Sequence, residues 1–151
     1  MAFKAIFVAI VCLLVSARAV SPILVRGIRI LGHVFCTVDN FAVDPLHTPI
    51  FPNATVVLQC GNENTTIVST RTNNAEAFHI LLDPSISVAS SIESDCRLVV
   101  TTPLANCNAA LSPTRTLSSE LLFFLTLIGD VVFDTYVPRR FHAQRLSNLY
   151  K

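Results

Sequence analysis

The chain has 151 residues, which suits a single domain, and a formal net charge of +1 at neutral pH. A chain so close to neutrality is a poor candidate for binding nucleic acid, because that binding rests on many contacts between basic side chains and phosphates. It contains no P-loop, GxSxG, HExxH or dinucleotide-binding motif, so we expect neither an enzyme nor a cofactor.

Residues 1–19 have the three parts of a cleaved signal peptide. Lys4 supplies a positive start, residues 5–15 form an apolar run, and Ala17-Arg18-Ala19 fits a small-x-small cleavage site. The run is about half of the ~20 apolar residues that a spanning helix needs, so we expect no transmembrane segment in the mature chain. Cleavage leaves nine basic residues against ten acidic ones, with a secreted domain at 20–137 and a basic C-terminal tail at 138–151.

Alternation of apolar and polar residues with a period of two predicts half-buried β-strands in the mature chain. The predicted strands are 28–38, 54–60, 77–82 and 96–102, together with the Thr-, Ile- and Val-rich stretch 65–72. Residues 39–52 hold three prolines and predict a loop or a sheet edge. A short helix is predicted after Asp83-Pro84. The fold class is therefore all-β, a small antiparallel β-sandwich or barrel of Greek-key type with a less regular apolar segment near its C-terminus.

Four cysteines remain after the signal peptide: Cys36, Cys60, Cys96 and Cys107. An even number in an oxidising compartment indicates two disulfides, and the absence of a CxxC spacing argues against a zinc site. Cys36, Cys60 and Cys96 share the parity of the core side of their strands. Three pairings are compatible with four cysteines, and the spacing does not choose among them.

Two sequons predict N-linked glycans on the same secreted domain. Asn53-Ala54-Thr55 and Asn64-Thr65-Thr66 both fit N-x-S/T without proline in the middle. Asn53 has the outward parity of its strand, and Asn64 falls in the turn GNENTT. We therefore expect glycans at Asn53 and Asn64.

Neither the histidines nor the acidic residues have the spacing of a reactive centre. The four histidines, none of which pairs with another ligand at short spacing, are His33, His47, His79 and His142. His33 and His79 share outward parity and meet only if their strands are neighbours, so solvated histidines are a better reading than a metal site. The candidate carboxylates for glycoside chemistry are Asp83, Glu93 and Asp95, which lie in a serine-rich turn region where Asp commonly caps structure.

Two features near the C-terminus are candidates for contact with a partner. Residues 121–128, LLFFLTLI, form an apolar run for which two interpretations stay open. One is a last core strand or helix, which we favour, and the other is a contact surface for membranes, pathogen surfaces or a partner. The candidate surface contacts in the tail are the four basic residues Arg139, Arg140, Arg145 and Lys151. A basic tail suits an anionic membrane or an acidic polysaccharide, although a plain solvated tail fits as well.

Four motifs together resemble phylloplanin-like proteins of plants, which are similar in turn to the pollen Ole e 1 allergen and extensin family. They are GHVFC at 32–36, FPNATVVLQC at 51–60, TNNAEAFHI at 72–80 and SDCRLVVTTPLANCNAAL at 94–111. The resemblance implies a secreted β-sandwich or barrel with bridges Cys36–Cys107 and Cys60–Cys96. One departure is Glu76, which stands where the family usually has a glycine that relaxes a turn.

The resemblance also implies a function, which the residues alone do not supply. It implies a secreted, non-enzymatic protein of the plant surface that defends against fungi and oomycetes. The alternative within the wider family is a structural or polysaccharide-binding module of the cell wall. The implied partners are accordingly a microbial surface or a plant cell-wall polysaccharide.

Overall fold

The computed structural model describes residues 26–38, 47–83 and 92–145, and the predicted signal peptide lies outside them. Within these residues the chain is almost entirely β-strand. The strands are β1 (Arg26–His33), β2 (Thr55–Cys60), β3 (Thr65–Arg71), β4 (Ala77–Leu82), β5 (Cys96–Val100), β6 (Arg115–Ile128), β7 (Val132–Pro138) and β8 (His142–Arg145). A four-residue helix, α1 (Ile92–Asp95), precedes β5, and a short 3-10 turn (Leu104–Asn106) follows it.

The strands form a single sheet that nearly closes on itself. Its order is β3-β2-β5-β6-β7-β1-β4, and β8 pairs with the beginning of β6. The two terminal strands, β3 and β4, approach each other, which gives a barrel-like shape. The predicted all-β class is therefore confirmed.

One strand pair departs from the purely antiparallel arrangement that we expected. β1 runs parallel to β7, with Ile28 opposite Asp134, whereas every other described pair is antiparallel. Hairpins impose antiparallel pairing on strands that are close in sequence. β1 and β7 come from opposite ends of the domain, so no tight turn constrains their relative direction.

The period-two pattern places the apolar residues of the central strands inside the barrel. The largest fully buried side chains include Ile30, Leu58, Ile80, Leu98 and Leu117, one from each of five strands. The expectation that β2 is half-buried is wrong, because Val57 and Gln59 on its outer face are only 6% and 7% exposed. On that face Val57 lies opposite Val99 of β5 and Gln59 lies opposite Arg97, so cross-strand neighbours flank both side chains.

The first strand is shorter than predicted. β1 ends at His33 because the chain then leaves the sheet, and the Cys36 N–H donates to the Pro49 carbonyl at 2.9 Å. Most of the predicted helix after Asp83 lies outside the described residues, and only α1 is seen at its far end.

Two disulfides cross-link the domain: Cys36 with Cys107, and Cys60 with Cys96. These are the two bridges that the resemblance implied. The Cys60–Cys96 bridge joins neighbouring strands at directly opposed positions, and the Cys36–Cys107 bridge ties the segment after β1 to the loop after β5. Cys36, Cys60 and Cys96 are buried, which agrees with their core-side parity, and Cys107 is half-buried.

Candidate functional site: an apolar hairpin beside two polar cavities

The long strand β6 leaves the barrel halfway along its length. Its first half pairs with β5 on one edge and β8 on the other, whereas residues 121–128 pair with β7 alone among the described strands. The other edge of this second half is capped at one point, where the Phe123 N–H donates to the Glu93 Oε1 at 2.6 Å.

The projecting half of β6 is apolar and largely exposed, so the core interpretation that we favoured is wrong beyond Leu121. Leu121 is 1% exposed, but Phe124 and Ile128 are 63% and 82% exposed. The five exposed apolar residues of this segment are Leu122, Phe123, Phe124, Leu127 and Ile128. They are exposed because the hairpin extends past the end of β5, where no described strand covers it.

The apolar surface continues onto the outer faces of β7 and β1. Phe133 lies opposite Leu127, and its ring packs so closely over Gly27 that a Cβ there would lie 2.7 Å from a ring carbon. Gly27 is therefore required for this contact. We use the name apolar hairpin for residues 121–138, meaning the projecting half of β6 together with β7.

The inner side of the apolar hairpin carries one ion pair at the end of the barrel. Asp134 accepts hydrogen bonds from the Arg26 Nε at 2.6 Å, from the Arg26 Nη2 at 3.2 Å and from the Thr126 Oγ1 at 2.7 Å. The Arg26 hydrogen bond is the main cause that holds the pKa of Asp134 below its ordinary value. Burial raises the pKa of Tyr136 above its ordinary value, and the nearby carboxylates Asp134 and Glu93 act in the same direction.

The predicted basic contacts are only partly a tail. Arg139, Arg140 and His142 line a cavity of about 490 Å³ together with Glu120, and the Arg139 Nε lies 3.9 Å from a Glu120 carboxylate oxygen. The expectation of a separate polar tail is wrong for residues 142–145, which form β8 with Arg145 at its end and pair with β6. Phe141, between Arg140 and β8, is 3% exposed and belongs to the core. Lys151 lies outside the described residues.

A second cavity, of about 420 Å³, lies on the outer face at the end of β2 and β5. Its floor is the row Gln59–Arg97–Glu120, in which each residue lies directly opposite the next on an adjacent strand. We call it the polar groove. Its rim includes the amides Asn62 and Asn64 and the carboxylates Glu93 and Asp95. The Gln59 Oε1 and the Arg97 Nε are buried and have no hydrogen-bond partner among the described residues.

The two sequons occupy similar backbone conformations in different surroundings. Asn53 and Asn64 both have positive φ, 56° and 53°, which Asn tolerates better than most residues. Asn53 is exposed, whereas Asn64 is half-buried and its Oδ1 accepts a hydrogen bond from the Arg97 Nη2 at 2.7 Å. Of the two, Asn64 lines the polar groove, whereas Asn53 lines neither of the two cavities.

The remaining candidates do not assemble into a reactive site. β1 and β4 are neighbours, yet His79 lies opposite Leu31, and His33 instead approaches a Glu76 carboxylate oxygen at 3.8 Å. Among residues 26–38, 47–83 and 92–145, no group of three possible ligands could hold a metal ion. Glu93 and Asp95 line the polar groove, whereas Asp83 follows β4 and lines neither cavity.

The polar groove could not be predicted from the sequence. Gln59 and Arg97 have outward parity on predicted strands, which is the only signal that the sequence offers for them. Their meeting depends on the pairing of β2 with β5, and Glu120 joins them only because β6 pairs with β5 at that level. No helix within the described residues is long and apolar enough to cross a membrane.

Comparisons with known proteins match most of the chain. The family model described as phylloplanin antifungal protein matches residues 24–147. Phylloplanin of Nicotiana tabacum is 37% identical over 132 residues, which cover 84% of this chain and 83% of that protein. The crystal structure of the major plantain pollen allergen Pla l 1 is also similar, with 14% sequence identity and a TM-score of 0.39. The match covers 75% of this chain and 94% of the allergen chain.

Proposed function

Since the chain belongs to the phylloplanin antifungal family, we propose that it is a secreted, non-enzymatic protein of the plant surface that acts against fungi and oomycetes by contact. The two disulfides support an oxidising, extracellular location, because such bridges are rare in reducing compartments. The family match supports the antifungal role.

The observation that carries the contact mechanism is the exposure of the apolar hairpin. Monomeric soluble proteins rarely leave contiguous apolar surface uncovered, and such patches mark sites of protein or membrane interaction. Here Phe124 and Ile128 extend into solvent from residues 121–128, which contain no charged side chain. Arg139 and Arg140 lie just beyond the base of the hairpin. Apolar side chains with nearby cations suit attachment to an anionic microbial surface.

The test is a spore-germination assay with a variant that removes the two most exposed apolar side chains. Phe124→Ser with Ile128→Ser should leave the circular dichroism spectrum unchanged and weaken inhibition about tenfold or more, because burying each side chain contributes about 1.5–3 kcal/mol. Ile50→Ser is the matched control, since Ile50 is 45% exposed but lies outside the hairpin. Full inhibition by the folded double variant, or an equal loss in the control, contradicts contact through the hairpin.

The contribution of the basic residues requires point substitutions. Deleting the chain from Arg139 onward also removes the buried Phe141 and the strand β8, so the loss of activity that followed would reflect lost structure. Arg140→Gln and Arg145→Gln keep the backbone and remove charge. We expect weaker inhibition with the largest loss at low salt, because screening weakens surface electrostatics.

The cell-wall alternative is favoured by one observation, the cavity lined by Arg139, Arg140 and His142. Two guanidinium groups face one carboxylate, Glu120, which suits an acidic polysaccharide. Co-sedimentation with polygalacturonate at several salt concentrations distinguishes this function from direct inhibition. Retention that Arg140→Gln reduces, with no effect on spore germination, supports the wall module. Germination inhibition without retention supports the antifungal function.

A further inference from the structure

We propose that Asn64 carries an N-linked glycan and that the first sugars of this glycan lie in the polar groove, where they supply the hydrogen bonds that Gln59 and Arg97 lack. This inference rests on the secretion that we proposed above, because glycans of this type are added only to chains that enter the secretory pathway. It does not depend on the antifungal activity.

The groove contains buried polar atoms that call for a ligand. Gln59 is 7% exposed, and its Oε1 accepts no hydrogen bond from the described residues. Arg97 lies directly opposite Gln59, and its Nε is a buried donor without a described partner. A buried donor or acceptor left unsatisfied destabilises a fold by about 1–3 kcal/mol, and native proteins seldom leave one without water or ligand. An unpaired acceptor and an unpaired donor on the same groove floor suit a chemical group that both donates and accepts hydrogen bonds.

The lining selects a neutral polyhydroxylated ligand. The lining contains three carboxylates, those of Glu93, Asp95 and Glu120, and one guanidinium, that of Arg97. Because negative groups outnumber positive ones, binding of an anion such as a phosphate or a uronate is disfavoured. The remaining side chains of the rim present amides and a hydroxyl. Sugar hydroxyl groups donate and accept at once, and the acetamido group of N-acetylglucosamine adds one donor and one acceptor.

The sugar is best supplied by the chain itself. None of the lining residues that the structure describes is aromatic, so a free sugar lacks the flat apolar surface on which its ring could pack. A sugar attached to Asn64 is already present at a high effective concentration, of the order of millimolar or more, and weak polar contacts are then sufficient. Asn64 is itself a lining residue, so the attached sugar starts within the groove.

The hydrogen bond of the Asn64 side chain is compatible with glycosylation. Its Oδ1 accepts the hydrogen bond from Arg97, whereas the glycan is attached through the other amide atom, Nδ2. Glycosylation therefore leaves the 2.7 Å hydrogen bond in place. Asn53 offers the comparison, because it is exposed and lines neither of the two cavities.

The first experiment measures occupancy on the full chain expressed from Met1 in plant cells and recovered from the medium. Glycopeptide mass spectrometry should find a glycan at Asn64. Thr66→Ala should abolish it, whereas Thr65→Ala, the adjacent matched control, keeps the sequon and should retain it. Changing Thr66 rather than Asn64 leaves the positive φ of Asn64 undisturbed. Protein in the medium with an unmodified Asn64 overturns this inference, and failure to reach the medium instead contradicts the proposed secretion.

The second experiment tests the position of the sugar. Nuclear Overhauser contacts should join the first N-acetylglucosamine to the side chains of Gln59 and Arg97, and should be absent for the glycan on Asn53. If the first sugar on Asn64 is mobile and lacks these contacts, the proposal that it lies in the polar groove is wrong. The Thr66→Ala protein should bind free N,N′-diacetylchitobiose no more tightly than millimolar. Micromolar binding, with no glycan on Asn64 in the parent chain, also overturns the inference, because the groove then takes a free sugar.

Discussion

Glu76 occupies a backbone conformation that its side chain disfavours, and replacing it allows the strain to be measured. Its φ is 50°, in the left-handed region that costs an ordinary residue roughly 1–2 kcal/mol. The turn holds this conformation by hydrogen bonds, from the Glu76 N–H to the Asn73 carbonyl at 3.1 Å and from the Val34 N–H to the Glu76 carbonyl at 3.0 Å. Glycine at this position would relax the backbone.

The magnitude follows from comparing two substitutions that both remove the side chain. Glu76→Gly and Glu76→Ala each lose the contact with His33 at 3.8 Å and the packing of a side chain that is 16% exposed. Only glycine removes the strain. Part of this gain is offset, because the greater freedom of glycine in the unfolded chain lowers the stability of the fold by about 0.5–1 kcal/mol. We therefore expect the glycine variant to be more stable than the alanine variant by about 1 kcal/mol, or roughly 3–5 °C in Tm.

Urea unfolding followed by circular dichroism measures this difference, and equal slopes in the two variants confirm that the midpoints report stability. Glu76→Asn provides a third value, expected between the other two, because Asn53 and Asn64 show that this fold accepts Asn at positive φ. If Glu76→Ala is as stable as Glu76→Gly, the strain assigned to the turn does not exist.

Four further predictions concern stability and processing. Replacing Cys36 and Cys107 together by Ser should lower the free energy of unfolding by about 4 kcal/mol, since the bridge joins positions 71 residues apart. Non-reducing peptide mapping checks the pairing, and a Cys36–Cys60 peptide would contradict it. Leu121→Ala should be destabilising by about 2–5 kcal/mol because Leu121 is 1% exposed, whereas Phe124→Ala at 63% exposure should change stability by less than about 0.5 kcal/mol, and equal losses would refute the assignment of the apolar hairpin to the surface. The lowered pKa of Asp134 means that its ionised form stabilises the fold fully above the unfolded pKa of about 3.9, and that this contribution is lost as pH falls below it. Asp134→Asn should flatten the acid limb of a stability–pH curve, and an unchanged limb would contradict the role of the Arg26 hydrogen bonds. N-terminal sequencing of extracellular protein should find a start near Val20, and Met1 would disprove the predicted cleavage.

The strands could be predicted from the sequence because their signal is local. Side chains alternate between the two faces of any strand, so the spacing of Ile80 from Phe78, or of Leu98 from Cys96, already reports a shared face. The same parity placed Cys36, Cys60 and Cys96 toward the core. Turn positions such as Asn53 and Asn64 are also local, since they depend on the φ that one residue type accepts.

Only the tertiary structure decided which strands are neighbours and how many residues of each strand are paired. Apolar periodicity cannot distinguish Leu121, which packs in the core, from Phe124, which lies beyond the end of β5. The pairing of β5 with β2 and β6 brings Gln59, Arg97 and Glu120 into one row, although they are distant in sequence. Burial of an outer face, the parallel pair of β1 with β7, and the polar groove all arise from such long-range contacts, because the environment of a side chain depends on residues that its own segment does not contain.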